Sequence, residues 1–523
     1  MNLNISDLTF GKTDAFNELK EFGPKWFVRA FFPYEKYEID SFINGNSYYI
    51  CGEKGTGKTA LLRFLQCRLS DDPNNVIIPI RFKTEFDVED KKAMINIASN
   101  IKETTAEGVD DFRDDTDTVS VWQIYIINQL LEKCADSNAE YQVFEESMEL
   151  SQLRQLLRIL YPDHRNKIVP KLKRGQLSVS ANIMKVVDAQ LQIEIGFEGS
   201  TSSISFNRVV KSTIAKFQRL KFLNNKVYIL FDELELSVKS PKEHKRDIQL
   251  VRDLIIAIDR MNEICKLSGY DIHTIASIRT EVIHSVHAAG YEINKSIEDY
   301  GVILSWYQKG GDYRDNKLLK LVENKIVATE EERGIMDHGD IWERYFPETI
   351  NGIETKKYIL NYSWLHPRDI VRLMNEVVRQ SNLETKFTQE AFDRAMRSYS
   401  KKSWSEIAEG LILKYHNEDL ETIKLILTNC EVPFTYAYLM QRIRSLSEIY
   451  PDIEKFYQKN NLRNVLIDLF EFGVIGNTGQ RMVFKFMEDD DLAMTEDMII
   501  HKPLRNFFCV KSRSKTRVDL FED

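Results

Sequence analysis

Apolar residues along the chain fall into short continuous runs and longer helical repeats in a regular order. The run Ser47–Cys51 ends at Gly52 and predicts a buried strand. Lys58–Leu69 repeats leucines at helical spacing, and a second apolar run follows at Val76–Ile80. Strand, glycine-rich turn, helix and strand in this order form a βαβ unit, which predicts a parallel sheet.

Two further apolar runs extend the same pattern. Lys226–Phe231 predicts a buried strand that ends in an acidic pair, and Ile272–Ile278 predicts a strand that ends at Arg279. The segment Ile248–Ile264 between them has helical periodicity. These segments predict an α/β fold, in which helices cover a parallel sheet.

The long interval between the second and third predicted strands is less regular. Val121–Leu131 and Leu150–Leu160 predict helices, and a basic patch follows at 164–174. Apolar and polar residues alternate at 176–181 and most clearly at 187–198, which predicts an antiparallel hairpin. We expect residues of about 85–223 to form a large insertion in the sheet domain.

The periodicities divide the chain into four predicted domains. A helical lead-in at 1–46 precedes a sheet domain at 47–300 that carries the insertion at 85–223. Residues 301–400 read mainly as helices and predict a helical lid. Residues 401–523 predict three helices followed by a hairpin, which is typical of a winged helix.

Composition excludes several classes of protein. The chain has 523 residues, of which 43% are hydrophobic and 29% charged, as is ordinary for globular proteins and unlike disordered ones. None of the six cysteines lies in a C-x-x-C pair, which favours reduced thiols in a cytoplasmic protein. We find no transmembrane run and no secretory signal, and therefore expect no membrane association.

The turn after the first strand matches the phosphate-binding pattern G-x-x-x-x-G-K-[ST]. Glycines in this pattern let backbone N–H groups point inward at phosphate oxygens, and the following helix adds its positive end. The lysine reaches the β- and γ-phosphates, and the hydroxyl coordinates Mg²⁺. The predicted ATP-binding residues are Gly52, Glu53, Lys54, Gly55, Thr56, Gly57, Lys58 and Thr59.

The acidic pair after the third strand supplies the second half of such a site. A carboxylate at a strand end can hold Mg²⁺ through water, and we assign this role to Asp232, together with Thr59. Glu233 would polarise the attacking water, either as a general base or as an orienting group. Glu235 is a nearby competitor for this role.

Cations and polar strand ends complete the predicted catalytic set. Ser277 or Arg279, at the end of the fourth strand, could sense the γ-phosphate. Arg368 opens an amphipathic helix directly after a proline, so it could contact phosphate from the first turn. An arginine could also act on a neighbouring copy, and the sequence does not choose among Arg246, Arg252 and Arg260.

Taken in order, these motifs resemble the AAA+/STAND branch of P-loop ATPases. They more closely resemble a poorly characterised bacterial P-loop ATPase family, through Phe10-Gly11-Lys12-Thr13-Asp14-Ala15, the phosphate loop and Pro367-Arg368-Asp369. The resemblance is weakest between about 85 and 223. It implies ATP binding, Mg²⁺-dependent hydrolysis and a homo-oligomer. Members of the wider class often act as regulatory switches or in defence against phages.

The predicted winged helix does not identify the molecule that it binds. Arg442, Arg444, Arg463 and the basic tail 511–517 could contact nucleic acid, whereas acidic residues in the same region oppose phosphate. Winged helices also contact proteins, so an effector protein is the other possible partner.

The leading hypothesis is an ATP-hydrolysing switch. The alternatives are a non-hydrolysing ATP-gated adaptor and a DNA-binding ATPase. The formal net charge of −9 does not decide between these partners, because local basic patches are compatible with it.

Overall fold

The structure is a computed structural model. It describes residues 2–94, 118–133, 142–161, 176–179, 202–223, 225–234, 236, 240–290, 293–308, 311–412, 414–478, 484 and 497–500. Several features singled out in the sequence lie outside these residues: the basic patch 164–174, the alternating stretch 187–198, Glu235 and the basic tail 511–517.

The chain divides into two compact units. The sheet unit consists of Glu35–Lys54 and Leu61–Leu304. The helical unit consists of Met1–Tyr34, Gly55–Ala60 and Ser305–Asp523. The four domains inferred from the sequence stay a prediction.

Strands of the sheet unit form one parallel sheet and one small antiparallel pair. The main sheet has five strands in the order β2-β5-β6-β1-β7, and all its neighbours are parallel. In chain order the strands are β1 Tyr49–Gly52, β2 Asn75–Arg81, β3 Gln176–Val179, β4 Ser202–Ser205, β5 Lys226–Leu234, β6 Ile272–Arg279 and β7 Gly301–Ile303. This confirms the predicted α/β fold with the parallel sheet of a P-loop NTPase.

Burial explains the order of the sheet. β1 and most of β5 are fully buried, as expected for strands covered on both faces, whereas β2 at the edge alternates between buried and partly exposed positions. β7 was missed in the sequence because its three residues are too few to show a period. Gln176–Val179 does pair antiparallel, and its partner is Ser202–Ser205.

Helices make up most of the remaining described chain. The first ten are α1 Ala15–Ala30, α2 Ile39–Ile43, α3 Lys58–Leu69, α4 Phe82–Glu85, α5 Val119–Lys133, α6 Met148–Leu160, α7 Phe206–Phe217, α8 Pro241–Leu267, α9 Thr280–Ala288 and α10 Asn294–Tyr300. The rest are α11 Leu318–Glu332, α12 Ile341–Tyr345, α13 Thr355–Tyr362, α14 Pro367–Gln380, α15 Gln389–Leu411, α16 Asn417–Leu427, α17 Tyr436–Ser447, α18 Pro451–Lys459 and α19 Leu462–Glu471. None of the described helices is both long and apolar enough to cross a membrane.

The predicted insertion packs against α8 through buried polar contacts. The Nε1–H of Trp122 on α5 donates to the carbonyl of Leu250, over 3.0 Å. Lys91 Nζ lies 3.1 Å from the buried carboxylate of Asp247. A buried charge is tolerated when a partner lies this close, so these pairs fix where the insertion docks on the sheet unit.

The motif Phe10-Gly11-Lys12-Thr13-Asp14-Ala15 has a structural role in the helical unit. Gly11 has a φ of +75°, and a Cβ there would lie 1.9 Å from Oε2 of Glu18. Buried Glu18 accepts the Lys12 N–H and the Lys325 ammonium, each over 2.7 Å. The tight turn therefore needs glycine, and it fastens α1 to α11.

The C-terminal part of the helical unit contains four helices and a small antiparallel sheet among the described residues, and the winged helix inferred from the sequence stays a prediction. A short antiparallel pair, β8 Thr349–Ile350 and β9 Ile353–Glu354, lies earlier in this unit. The C-terminal elements are, in order, α16, β10 Phe434–Thr435, α17, α18, α19, β11 Ile475–Thr478 and β12 Asp497–Ile500, and their sheet runs β10-β12-β11. Both strand pairs are antiparallel. α18 is an additional helix that the sequence pattern did not indicate.

Candidate functional site

The phosphate loop follows β1 and leads into α3. Gly55 and Gly57 have φ values of +96° and +102°, which L side chains rarely adopt. Lys58 is the first residue of α3, and its side chain is buried. The glycines of the motif are therefore required by backbone conformation, as the sequence predicted.

Within the helical unit, the start of α14 contacts this loop. The Arg368 backbone N–H donates to the carbonyl of Gly55 over 3.3 Å, and the Trp306 Nε1–H donates to the carbonyl of Thr56 over 2.9 Å. A Cβ added to Gly57 would meet the Pro367 ring at 3.8 Å. The proline–arginine turn thus lies directly on the loop backbone.

The Arg368 side chain is engaged by a carboxylate on α15. Its Nη1 lies 2.7 Å from Oε1 of Glu406, and Arg372 binds the other oxygen of the same group. Arg372 also donates to Asp369 over 2.6 Å.

The two residues before His366, Trp364 and Leu365, both have a φ of +52°. Such strain is typical of turns that the surrounding structure over-determines.

In the sheet unit, the carboxyl ends of the strands gather the predicted polar residues at one edge. Gly52 at the end of β1 is in register with Arg279 at the end of β6. Arg81 at the end of β2 is in register with Asp232 of β5. In parallel α/β sheets this edge is where ligands bind.

Asp232 is almost fully buried and held by polar neighbours. The Ser277 hydroxyl donates to its Oδ1 over 2.6 Å, and the Glu233 backbone N–H donates to the same oxygen over 2.9 Å. Nη2 of Arg63 on α3 lies 3.5 Å from Oδ2. Two donors and a nearby guanidinium therefore hold the Asp232 carboxylate in a fixed position at the end of β5.

Glu233 has a conformation that points to function. Its φ is +60°, and the register between β5 and β6 shifts around it. A β-bulge of this kind redirects a side chain at a sheet edge, and a strained non-glycine residue suggests a functional constraint.

The Glu233 carboxylate is bound by residues that the sequence analysis missed. Arg81 donates to Oε1 from Nε over 3.1 Å and also from Nη2, and the Thr84 hydroxyl donates to Oε2 over 3.1 Å. The Arg81 backbone N–H donates to Glu85 over 3.0 Å, while burial raises the pKa of Glu85. The sequence did contain a signal for Arg81. This residue directly follows the apolar run of β2, and the carboxyl ends of parallel strands meet at one edge of the sheet.

The remaining candidates occupy different surroundings. Arg279 ends β6 and is partly exposed, whereas Ser277 contacts Asp232. Arg246 and Arg252 are nearly buried and pair with Asp247 and Asp253, their sequence neighbours. Arg260 is exposed on α8. Of the three arginines left open by the sequence, Arg260 therefore has the position best suited to reach another molecule.

The described residues contain no group of three or more histidine, cysteine or acidic side chains arranged to hold a metal ion. The Asp232 carboxylate nevertheless offers oxygen donors of the kind that suit Mg²⁺, which is normally bound by one or two protein oxygens with water and phosphate. The chemistry of this carboxylate therefore fits a magnesium ion that is bound together with nucleotide.

Residues 316–408 match a family model described as the FunZ-associated C-terminal helical domain. No curated protein matches the chain. Among solved structures, Cdc6p from Pyrobaculum aerophilum matches 89% of this chain and 88% of its own, with 10% identity and a TM-score of 0.32.

Proposed function

We propose that the protein is an ATP-binding, Mg²⁺-dependent ATPase of AAA+/STAND type that works as a regulatory or defence switch. The observation that carries the proposal is the polar edge of the parallel sheet. There, Asp232 and the strained Glu233 end one strand, and the phosphate-loop strand ends at Gly52. A phosphate loop and an acidic strand end are the two halves of a nucleotide-hydrolysis site.

The loop Gly52–Thr59 would bind the phosphates of ATP. Its backbone N–H groups and Lys58 would neutralise phosphate charge, and the N-terminus of α3 would add to this. Thr59 and Asp232 would hold Mg²⁺, which supplies charge neutralisation at the phosphates when bound. This assignment rests on the sequence motif and on the acceptor chemistry of Asp232.

Glu233 would orient or deprotonate the attacking water, which requires a free carboxylate oxygen. Because Arg81 and Thr84 occupy both oxygens, we propose that turnover requires this pair to open. Arg279 and Arg368 would stabilise charge on the γ-phosphate, for which Arg368 must leave Glu406. The protein would then switch between a resting and an active state, with assembly into homo-oligomers and contact with an effector partner.

Substitution of the two central residues tests the proposal. Lys58→Ala should abolish ATP binding, since the phosphates lose their main cation. Glu233→Gln should retain ATP binding and lose roughly 100-fold or more in turnover, as expected for a general base or water-orienting group. Fluorescent-nucleotide binding and phosphate release measure the two effects separately. Unchanged hydrolysis in both variants would contradict an ATPase assignment.

A non-hydrolysing ATP-gated adaptor is the second candidate, and the Arg81–Glu233 ion pair favours it. If the pair persists with ATP bound, Glu233 cannot reach water and nucleotide only controls assembly. ATP-dependent complex formation without phosphate release, with and without DNA or candidate partners, would identify this function.

A DNA-binding ATPase receives less support from the described C-terminal helices. Most side chains of α19 are buried, leaving Arg463, Asn464 and Glu471 exposed. Arg442 donates to the carbonyls of Ile426 and Thr428 and thereby closes the end of α16. A helix that reads a DNA groove presents several exposed polar side chains. Salt-dependent DNA binding would restore this alternative.

A further inference from the structure

A polar cleft lies in the helical unit, at the loop before α1 and the helices α14 and α15. Its volume is about 250 Å³. Four cationic side chains line it: Lys12, Arg372, Arg379 and Lys402. None of these residues belongs to the proposed ATP site, and the last three lie within the matched segment 316–408.

The cleft is preformed by hydrogen bonds. On α14, residues 372, 375, 376 and 379 follow the i, i+3, i+4, i+7 spacing that places them on one face of the helix. The Asn375 side chain donates to the Gly11 carbonyl over 3.0 Å, which fixes the loop of Lys12 beside this face. Binding of a ligand therefore costs little conformational entropy, because the residues that line the cleft are already ordered.

Acidic and basic groups are arranged in layers. Glu376 is 5% exposed and accepts hydrogen bonds from both Arg379 and Lys402. The Asp14 carboxylate, also in the cleft, accepts the Asn17 N–H that caps α1. The side chains of Lys12, Lys402 and Arg379 are 43%, 46% and 62% exposed. A ligand that enters the cleft therefore meets cations at the rim and finds the carboxylates already engaged.

The electrostatics of Glu376 agree with this arrangement. Burial alone would raise the pKa of Glu376, yet Lys402, with Ser398 and Arg379, lowers it below its usual value. The neighbouring donors therefore outweigh burial in their effect on the Glu376 carboxylate.

An ordinary ion-pair network is the competing explanation. Lys12 pairs with Glu21 over 2.9 Å, and both side chains are about half exposed. Exposed pairs of this kind contribute only about 0–1 kcal/mol, so a doubly charged anion can displace them. Two cations that share the single carboxylate of Glu376 also remain incompletely neutralised.

We propose that this cleft binds a compact oligophosphate, with Lys12, Arg379 and Lys402 as its ligands and Arg372 at the base. Its volume is below the roughly 300 Å³ at which drug-sized sites begin, which suits a diphosphate group better than a whole nucleotide. This inference is independent of the proposed hydrolysis, because no residue is shared.

Titration calorimetry with inorganic pyrophosphate tests it in the full-length protein. The protein is first saturated with ADP without Mg²⁺, so that the phosphate loop is filled and pyrophosphate stays uncomplexed. Pyrophosphate should still bind. Lys12→Ala and Arg379→Ala should each weaken binding about tenfold or more, the usual effect of losing one charge-assisted hydrogen bond. Both residues are exposed at the rim, so neither change should unfold the protein.

Lys401→Ala is the matched control, because Lys401 is an exposed neighbour of Lys402 on α15 outside the cleft. It should leave the affinity unchanged. The titration is repeated without ADP in Lys58→Ala, whose phosphate loop lacks its main cation, and pyrophosphate binding to the cleft should persist there. The proposal is overturned if pyrophosphate does not bind the ADP-saturated protein, or if the two rim variants bind it as tightly as the original protein does. It is also overturned if Lys401→Ala weakens binding as much as the rim variants do.

Discussion

Two consecutive acids at the end of β5 have very different environments. Asp232 lies in the sheet interior, where Ser277 donates to it, whereas Glu233 leaves the strand at a positive φ and meets Arg81. The bulge separates the two side chains, so Asp232 accepts from Ser277 while Glu233 pairs with Arg81. Adjacent residues thereby acquire distinct chemistry.

Removal of Arg81 should therefore affect turnover. Arg81→Ala frees Glu233 from a partly exposed ion pair of about 1 kcal/mol, which corresponds to roughly a fivefold rise in basal ATP turnover. Steady-state phosphate release measures this rate. Lys92→Ala, which removes the exposed pair with Glu89, is the control and should have no effect. A fall in turnover with Arg81→Ala would mean that Arg81 supports catalysis.

At the scale of elements, α11 and α12 are joined by a buried carboxylate. Glu330 is fully buried and accepts hydrogen bonds from Arg344, from the Tyr345 hydroxyl over 2.7 Å and from His338 over 2.8 Å. Burial opposes its charge, but these donors outweigh burial and lower the pKa of Glu330. The folded state therefore favours the ionised form more than the unfolded chain does.

This lowered pKa predicts acid sensitivity. The stabilisation is fully present above the unfolded pKa of about 4.3 and disappears as the pH falls through the lower folded pKa. Glu330→Gln should reduce the free energy of unfolding at pH 7 by about 3 kcal/mol, because it breaks a buried pair. It should also flatten the acid dependence. Urea unfolding between pH 3 and pH 7 measures both effects.

Glu343→Gln is the control for this change, since Glu343 is exposed on α12. It should keep the acid dependence of the original protein. An acid profile that Glu330→Gln leaves unaltered would show that another carboxylate controls stability in this range.

At the scale of the whole molecule, the chain forms two compact units and has a formal net charge of −9. Like charge opposes self-association at low salt, so a stable oligomer needs a specific driving force. We expect ATP to provide it, and we propose that Arg260 acts on a neighbouring copy, because Arg260 is exposed whereas Arg246 and Arg252 pair with acidic neighbours.

Particle mass with and without ATP tests this expectation. Light scattering should show a larger particle with ATP, and Lys58→Ala should stay at the smaller mass under both conditions. Arg260→Ala should reduce turnover while ATP binding is retained. An unchanged mass would indicate that the switch acts within a single chain.

Much of the fold was predictable because its signals are local. Apolar runs predicted β1, β2, β5 and β6, and the α3 bounds agree with the leucine repeat. The edge strand β7 and helix α18 were not predicted. A three-residue strand shows no period, and α18 is defined by its packing against α16 and α17. The alternating stretch 187–198 lies outside the described residues and stays a prediction.

The sequence by itself determined the glycines and the order of the motifs. Gly55 and Gly57 are fixed by backbone sterics, and a strand that ends in acids is visible as a local pattern. Only the tertiary structure decided which groups hold those acids. Arg81 and Glu233 are 152 residues apart and meet because parallel strands align their carboxyl ends at one edge. Likewise, Lys12 and Lys402 line one cleft only in the folded helical unit, because the placement of charges on distant segments leaves no local period.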